Sequence, residues 1–260
     1  MKKRKAQTTI FIIIAIVVVA AIILTIILTK TQKSETELEN VFSQLGIQVQ
    51  ASTVQTSIID CLSETATGAI EVIGIQGGYY NPPKNKDHYL DLEWTFIPYY
   101  YKKGEFLQPS NEKIQQELSA YIDENIQECI NTLEYNDFEL EFKSAQSTAE
   151  IKSKQITFKT DLLTSISKDS STSTFNLKQH PVTINSKLFE IIEIATFITD
   201  SHIESPDMIC ATCIADMGEE RKLKVEMSNY ETPETTLIII SDNQTSTNPY
   251  IFEFLNEYQI

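Results

Sequence analysis

The sequence predicts an α+β protein in which one N-terminal transmembrane helix is followed by a mixed, mainly antiparallel α+β ectodomain. Three observations lead there. An unbroken apolar run, Ile10 to Leu28, follows a basic N-terminus. Two later stretches, 54–73 and 111–133, repeat apolar residues at helical spacing. From about residue 135 the period changes to two, the mark of half-buried strands. These divide the chain into a basic cytoplasmic N-terminus (1–9), a transmembrane helix (10–29), a linker or helical extension (30–53), a helical part with a Tyr-rich loop (54–134) and an α+β part (135–260).

The apolar run holds no charge, Gly or Pro, and Thr25 is its only polar member. As a helix it would be roughly 28 Å long, close to the ~30 Å hydrocarbon thickness of a bilayer. Lys2, Lys3, Arg4 and Lys5 precede it, so the positive-inside rule places the N-terminus in the cytoplasm and the C-terminal domain outside the cell. A cleaved secretory signal would have a shorter apolar region ending at small residues, which Leu28-Thr29-Lys30 does not offer. The expectation is a single-pass protein of the cell membrane.

The first helix carries Val54, Ile58, Cys61, Leu62, Thr65, Ala69, Val72 and Ile73 on one stripe and stops at Gly77-Gly78. Ser110, after Pro109, reads as the N-cap of a second helix bearing Ile114, Leu118, Tyr121, Ile122, Ile126, Cys129 and Leu133. Cys61 and Cys129 both lie on these apolar stripes, so packing the two helices predicts a disulfide between them. The stretch between the helices holds the only Trp and six of the eleven tyrosines. Its aromatics Tyr79, Tyr80, Trp94, Tyr99, Tyr100 and Tyr101 are the candidates for a partner-binding surface, because Tyr and Trp give rigid contact area with a polar tip. The same residues also suit a lid packed over the helix pair.

Phe138, Leu140 and Phe142 alternate with charges, and Ile156, Phe158, Thr160, Leu162 and Ile166 continue in phase. Ser167 to Thr174 reads as a polar hairpin loop, with Val182-Thr183-Ile184 returning as a strand. Ser186 then caps a helix running to about Thr199, and a shorter helix holds Cys210 and Cys213. Leu223/Val225/Met227, Leu237–Ile240 and Tyr250/Phe252/Phe254 complete the strands, the middle one an apolar run of the kind covered on both faces.

Charge narrows the function. Beyond Lys33 the chain holds 15 basic and 36 acidic residues, a net charge of −21. Such a surface repels phosphate backbones and excludes nucleic acid as a partner. Four cysteines in an outward-facing domain predict disulfides, with Cys210-Ala211-Thr212-Cys213 closing a local bridge. That C-x-x-C is also the one motif able to carry chemistry, as an extracytoplasmic thiol–disulfide oxidoreductase. It lacks the preceding aromatic residue and βαβ lead-in of a thioredoxin-like site, and as a zinc site it lacks a second pair. His88, His180 and His202 stand beside no nucleophile-elbow pattern, and the acidic pairs lack calcium-loop spacing. No catalytic residue, metal or cofactor is expected. Asn243-Gln244-Thr245 is a sequon, and Asn243 would accept a glycan in an outward-facing loop.

Lys3-Arg4-Lys5-Ala6-Gln7-Thr8-Thr9 followed at once by the apolar run resembles the archaeal class III, pilin-type signal segment. The resemblance implies cleavage between Ala6 and Gln7, with the apolar helix kept on the mature chain. Phe11 stands where pilins carry an acid near the fifth mature position. Asp60-Cys61-Leu62, Gly74-Ile75-Gln76-Gly77-Gly78-Tyr79 and Glu128-Cys129-Ile130 are similar to motifs of uncharacterised single-span archaeal surface proteins, which bring no activity with them. The function expected is a non-enzymatic binding or structural protein of the cell surface, meeting a protein or glycan partner. The alternatives are the oxidoreductase and a pilin-like filament subunit.

Overall fold

A computed structural model describes residues 52–133, 139–168, 171–204, 209–242 and 249–258. The chain divides into two units, Met1–Thr53 and Val54–Ile260, and the fold that follows is that of the second. It is α+β with mixed sheets, and this corrects the expected fold class. No helix among the described residues is long and apolar enough to cross a membrane. The expected span 10–29, the Ala6–Gln7 bond and Asn243 lie outside the described residues.

Helix α1 covers residues 52–75 and buries Val54, Ile58, Cys61, Leu62, Ala66, Ala69, Ile70 and Ile73 along one stripe. Strands β1 (Tyr89–Leu92), β2 (Thr95–Lys102) and the short β3 (Glu105–Phe106) follow. The Tyr-rich stretch expected as a loop is therefore largely sheet. Its alternation was masked because β2 is covered on both faces and reads as a continuous aromatic and apolar run. Helix α2 (Asn111–Asn131) starts at the expected cap, where Ser110 Oγ accepts the Lys113 N–H.

Next come β4 (Glu139–Phe142), β5 (Gln146–Lys152), β6 (Gln155–Asp161), β7 (Leu163–Lys168), β8 (Ser171–Asn176) and β9 (Val182–Asn185). The Ser167–Thr174 segment, expected as a loop, is mostly strand. It runs in the β7–β8 pair, with Ser167 bonded to Thr172 at 3.0 Å. Helices α3 (Leu188–Glu204) and α4 (Ala211–Arg221) precede β10 (Lys224–Tyr230), β11 (Thr232–Asp242) and β12 (Tyr250–Glu257).

The largest sheet runs β1-β2-β12-β11-β10, with β3 also on β2. Among the described strands only β12 and β2 pair in parallel, and they stand about 155 residues apart in the chain. Two smaller antiparallel sheets are ordered β4-β7-β8 and β5-β6-β9. On one face of the large sheet Tyr100, Phe252, Phe254, Ile238 and Ile240 are fully buried. The Tyr100 ring stacks on Phe254 at 4.2 Å.

Helix α2 and edge strand β5 meet through a ladder of side-chain bonds. Gln115 Oε1 accepts the Ile151 N–H at 3.0 Å, and Ser119 Oγ accepts the Ala149 N–H at 3.0 Å. The Asp123 carboxylate takes hydrogen bonds from Ser147. Four residues of helix rise about 6 Å and two residues of strand about 6.8 Å, so the two repeats nearly coincide. The helix thus satisfies the donors that an open edge would present to another chain.

Candidate functional site

The candidate surface is built where α1 ends against the large sheet. Helix α1 closes with the Gly78 N–H on the Ile73 carbonyl at 2.8 Å, and Gly77 and Gly78 take φ of +50° and +90°. That conformation belongs to glycine. A Cβ on Gly74 would lie 2.3 Å from the Ile251 carbonyl oxygen, and one on Gly77 would lie 2.6 Å from that of Glu253. The helix end therefore lies directly on the β12 backbone. The Tyr100 hydroxyl, fully buried, donates to the Gly77 carbonyl at 3.1 Å and fixes that turn to β2. Burial pushes its pKa well up, so it stays a neutral donor.

The other tyrosines brace the same junction. Glu117 Oε2 accepts the N–H groups of both Tyr80 and Asn81, at 2.9 and 3.0 Å, while Lys113 pairs with the same carboxylate. The Tyr80 ring meets Tyr121 edge-on at 5.0 Å, and its hydroxyl donates to Glu124 at 3.0 Å. Tyr79 donates to the Leu107 carbonyl at 3.4 Å. Tyr99 sits beneath the Lys102 ammonium, 3.9 Å from ring centre to nitrogen. Tyr101 is half-buried beside Phe106 in the β2–β3 pair.

Trp94 differs from all of these. It occupies the two-residue turn between β1 and β2 and is 84% exposed. Phe106, on β3 along the same edge of β2, is 52% exposed. On the face of the sheet away from Phe254, Ile97, Tyr99 and Leu255 are buried in a second, smaller apolar cluster, with Leu90, Leu92, Leu107, Tyr230 and Leu237 half-buried around them. The six expected aromatics thus separate: Tyr79, Tyr80 and Tyr100 hold the fold together, Tyr99 is buried in the second cluster, Tyr101 is half-buried beside it, and Trp94 alone reaches fully into solvent. Phe106 and the leucines of β1 line the same edge of β2. Sequence reasoning missed them because β1 and β3 are short and read as parts of a loop.

Both cysteine pairs are bonded. Cys61–Cys129 joins α1 to α2 with the Cα atoms 5.7 Å apart, and Cys210–Cys213 closes at 5.2 Å. Cys210 is the N-cap of α4, its Sγ accepting the Cys213 N–H at 3.2 Å.

Three histidines take three separate places. His180 meets the Gln55 amide, and His88 lies 2.9 Å from the Asn85 amide nitrogen. His202 is fully buried in the last turn of α3, with Asn256 at 3.0 Å and the Tyr258 hydroxyl against its ring. Burial lowers its pKa to about 4, so the imidazole is neutral near neutrality.

Comparison of the chain with family models, with curated proteins and with solved structures finds no match.

Proposed function

We propose that this is a disulfide-tied, extracytoplasmic binding protein of the cell surface, and that it meets a protein or glycan partner through the exposed aromatics Trp94 and Phe106 at the edge of its large sheet. The observation that carries the reading is Trp94, a large aromatic ring 84% exposed at the tip of a hairpin. An exposed ring of this size, with Phe106 also 52% exposed along the same edge of β2, suits an aromatic anchor for a partner. The tyrosines behind it are anchored by hydrogen bonds, which lowers the ordering cost of contact. Two bonded cysteine pairs support an oxidising location. The net charge of −15 favours neutral or basic partners.

The test is binding of the purified chain to a panel of surface glycans and of surface proteins, repeated with Trp94→Ser and Phe106→Ser. Each substitution is expected to reduce binding at least tenfold, while Cys210→Ser with Cys213→Ser leaves it unchanged. Binding that survives both aromatic substitutions would place the partner elsewhere and overturn the reading.

A further inference from the structure

The two disulfides do different things to the chain. Cys61–Cys129 crosses 68 residues and locks two helices of the core together. Cys210–Cys213 crosses three residues and closes a ring within one helix start, so it constrains the unfolded chain least. The first turn of α4 also has little need of the bond to hold its shape. The far end of α4 closes on its own, with the Leu223 N–H on the Gly218 carbonyl at 2.8 Å and Lys222 in the left-handed conformation at φ 54°. The Lys187 ammonium ties the Lys222 carbonyl (3.2 Å) to Asp242 (3.1 Å), and Ile214 is buried in the second turn.

What the first turn does supply is a setting for a thiolate. Cys210 Sγ already accepts the Cys213 N–H at 3.2 Å and lies 3.5 Å from the Thr212 hydroxyl. Both interactions strengthen when the sulfur carries a negative charge, and the helix N-terminus adds its own field. Both cysteines are half-exposed, within reach of another thiol. A thiolate stabilised in the reduced state makes the corresponding disulfide a better oxidant.

We propose that Cys210–Cys213 is an exchangeable disulfide that passes its oxidation to dithiol segments of other proteins. A substrate thiolate attacks Cys213 Sγ, the sulfur–sulfur bond breaks, and Cys210 leaves as the stabilised thiolate. The second substrate thiolate then attacks the substrate sulfur of the mixed disulfide. Its disulfide forms and Cys213 leaves as a thiolate that takes up a proton. Two electrons pass from the substrate dithiol to the protein disulfide, and Cys61–Cys129 takes no part. This activity is independent of the aromatic edge of the large sheet and needs neither Trp94 nor Phe106.

The experiment mixes the full-length oxidised chain, without air, with a tenfold excess of a reduced peptide carrying two cysteines. Mass spectrometry follows peptide disulfide and, after alkylation, the state of each cysteine pair. The expected result is about one peptide disulfide formed per chain, with Cys210 and Cys213 alkylated and Cys61–Cys129 intact. The Cys210→Ser/Cys213→Ser chain should form none. In the reduced chain, Cys210 should alkylate at lower pH than Cys213. Less than a tenth of an equivalent of peptide disulfide, equal oxidation by the double variant, or reduction of Cys61–Cys129 ahead of Cys210–Cys213 would each overturn the proposal.

Discussion

Opening the long disulfide should cost the fold far more than opening the short one, and the difference follows from ring size. In the chain-entropy treatment, a bridge across the 68 residues from Cys61 to Cys129 removes about 4 kcal/mol of unfolded-state freedom at 25 °C. The bridge across three residues from Cys210 to Cys213 removes about 2 kcal/mol or less. Cys61 is buried against the α1 stripe, so Cys61→Ala avoids planting an unpaired hydroxyl in the core, and Cys129→Ala keeps the pair matched. For a unit of this size a loss of about 4 kcal/mol lowers Tm by roughly 8–16 °C. Thermal and urea unfolding followed by far-ultraviolet circular dichroism is the suitable assay, since the only Trp is already exposed and reports little on burial. Cys210→Ala/Cys213→Ala should cost less than half as much. A loss below about 1 kcal/mol for the long bridge, or equal losses for the two pairs, would refute the division between a core staple and a local bond.

Gly74→Ala should destabilise by about 1–3 kcal/mol despite the better helix propensity of Ala, because the new methyl meets the Ile251 carbonyl oxygen at 2.3 Å and the Tyr250 ring at 2.8 Å; urea midpoints would measure it. His202 binds its proton more weakly when folded, at about 4, than in an unfolded chain near 6.5. Its contribution is therefore complete above about pH 6.5 and is lost as pH falls toward 4, with a slope approaching 1.4 kcal/mol per pH unit. His202→Asn should remove that slope from a stability–pH profile. Burial raises the Asp123 pKa, so the folded state disfavours its charged form and stability from this group declines as pH rises through the carboxylate range. Asp123→Asn retains an acceptor for Ser147 and should leave the chain at least as stable at pH 7. The amides of Ala149 and Ile151 should exchange slowly although β5 is an edge strand, and Ser119→Ala should speed Ala149 selectively in a hydrogen-exchange experiment.

Helices were legible in the sequence wherever one face repeats cleanly. The α1 and α2 stripes, the Ser110 cap and the Cys61–Cys129 pairing all follow from periodicity, because a helix packed on one side carries its partner's direction in its spacing. Strands β6 and β12 were legible from apolar residues at period two, and β11 from its continuous apolar run Leu237–Ile240. What escaped was set by tertiary covering. Strand β2 is buried through five consecutive residues, and β5 alternates only weakly, in Ser147, Ala149 and Ile151, because α2 supplies polar partners there instead of an apolar seat. Among the candidate residues, Trp94 and Tyr100 were not separable, since only the fold decides which ring meets Phe254 and which meets water.

The three-rung ladder between α2 and β5 has a consequence for how the chain ages. The helix imitates a neighbouring strand, offering an acceptor roughly every 6 Å where a true strand would offer one about every 6.8 Å. The mismatch grows with each rung, so such mimicry serves a short strand well and a long one poorly. It also means that the donors of β5 are guarded by side chains of a helix rather than by a neighbouring backbone. Cys129 lies on that same helix, six residues past Asp123, and ties it to α1. A bond that holds α2 in place thereby also helps to keep the β5 edge covered, so this disulfide bears on resistance to edge-to-edge association as well as on folding stability.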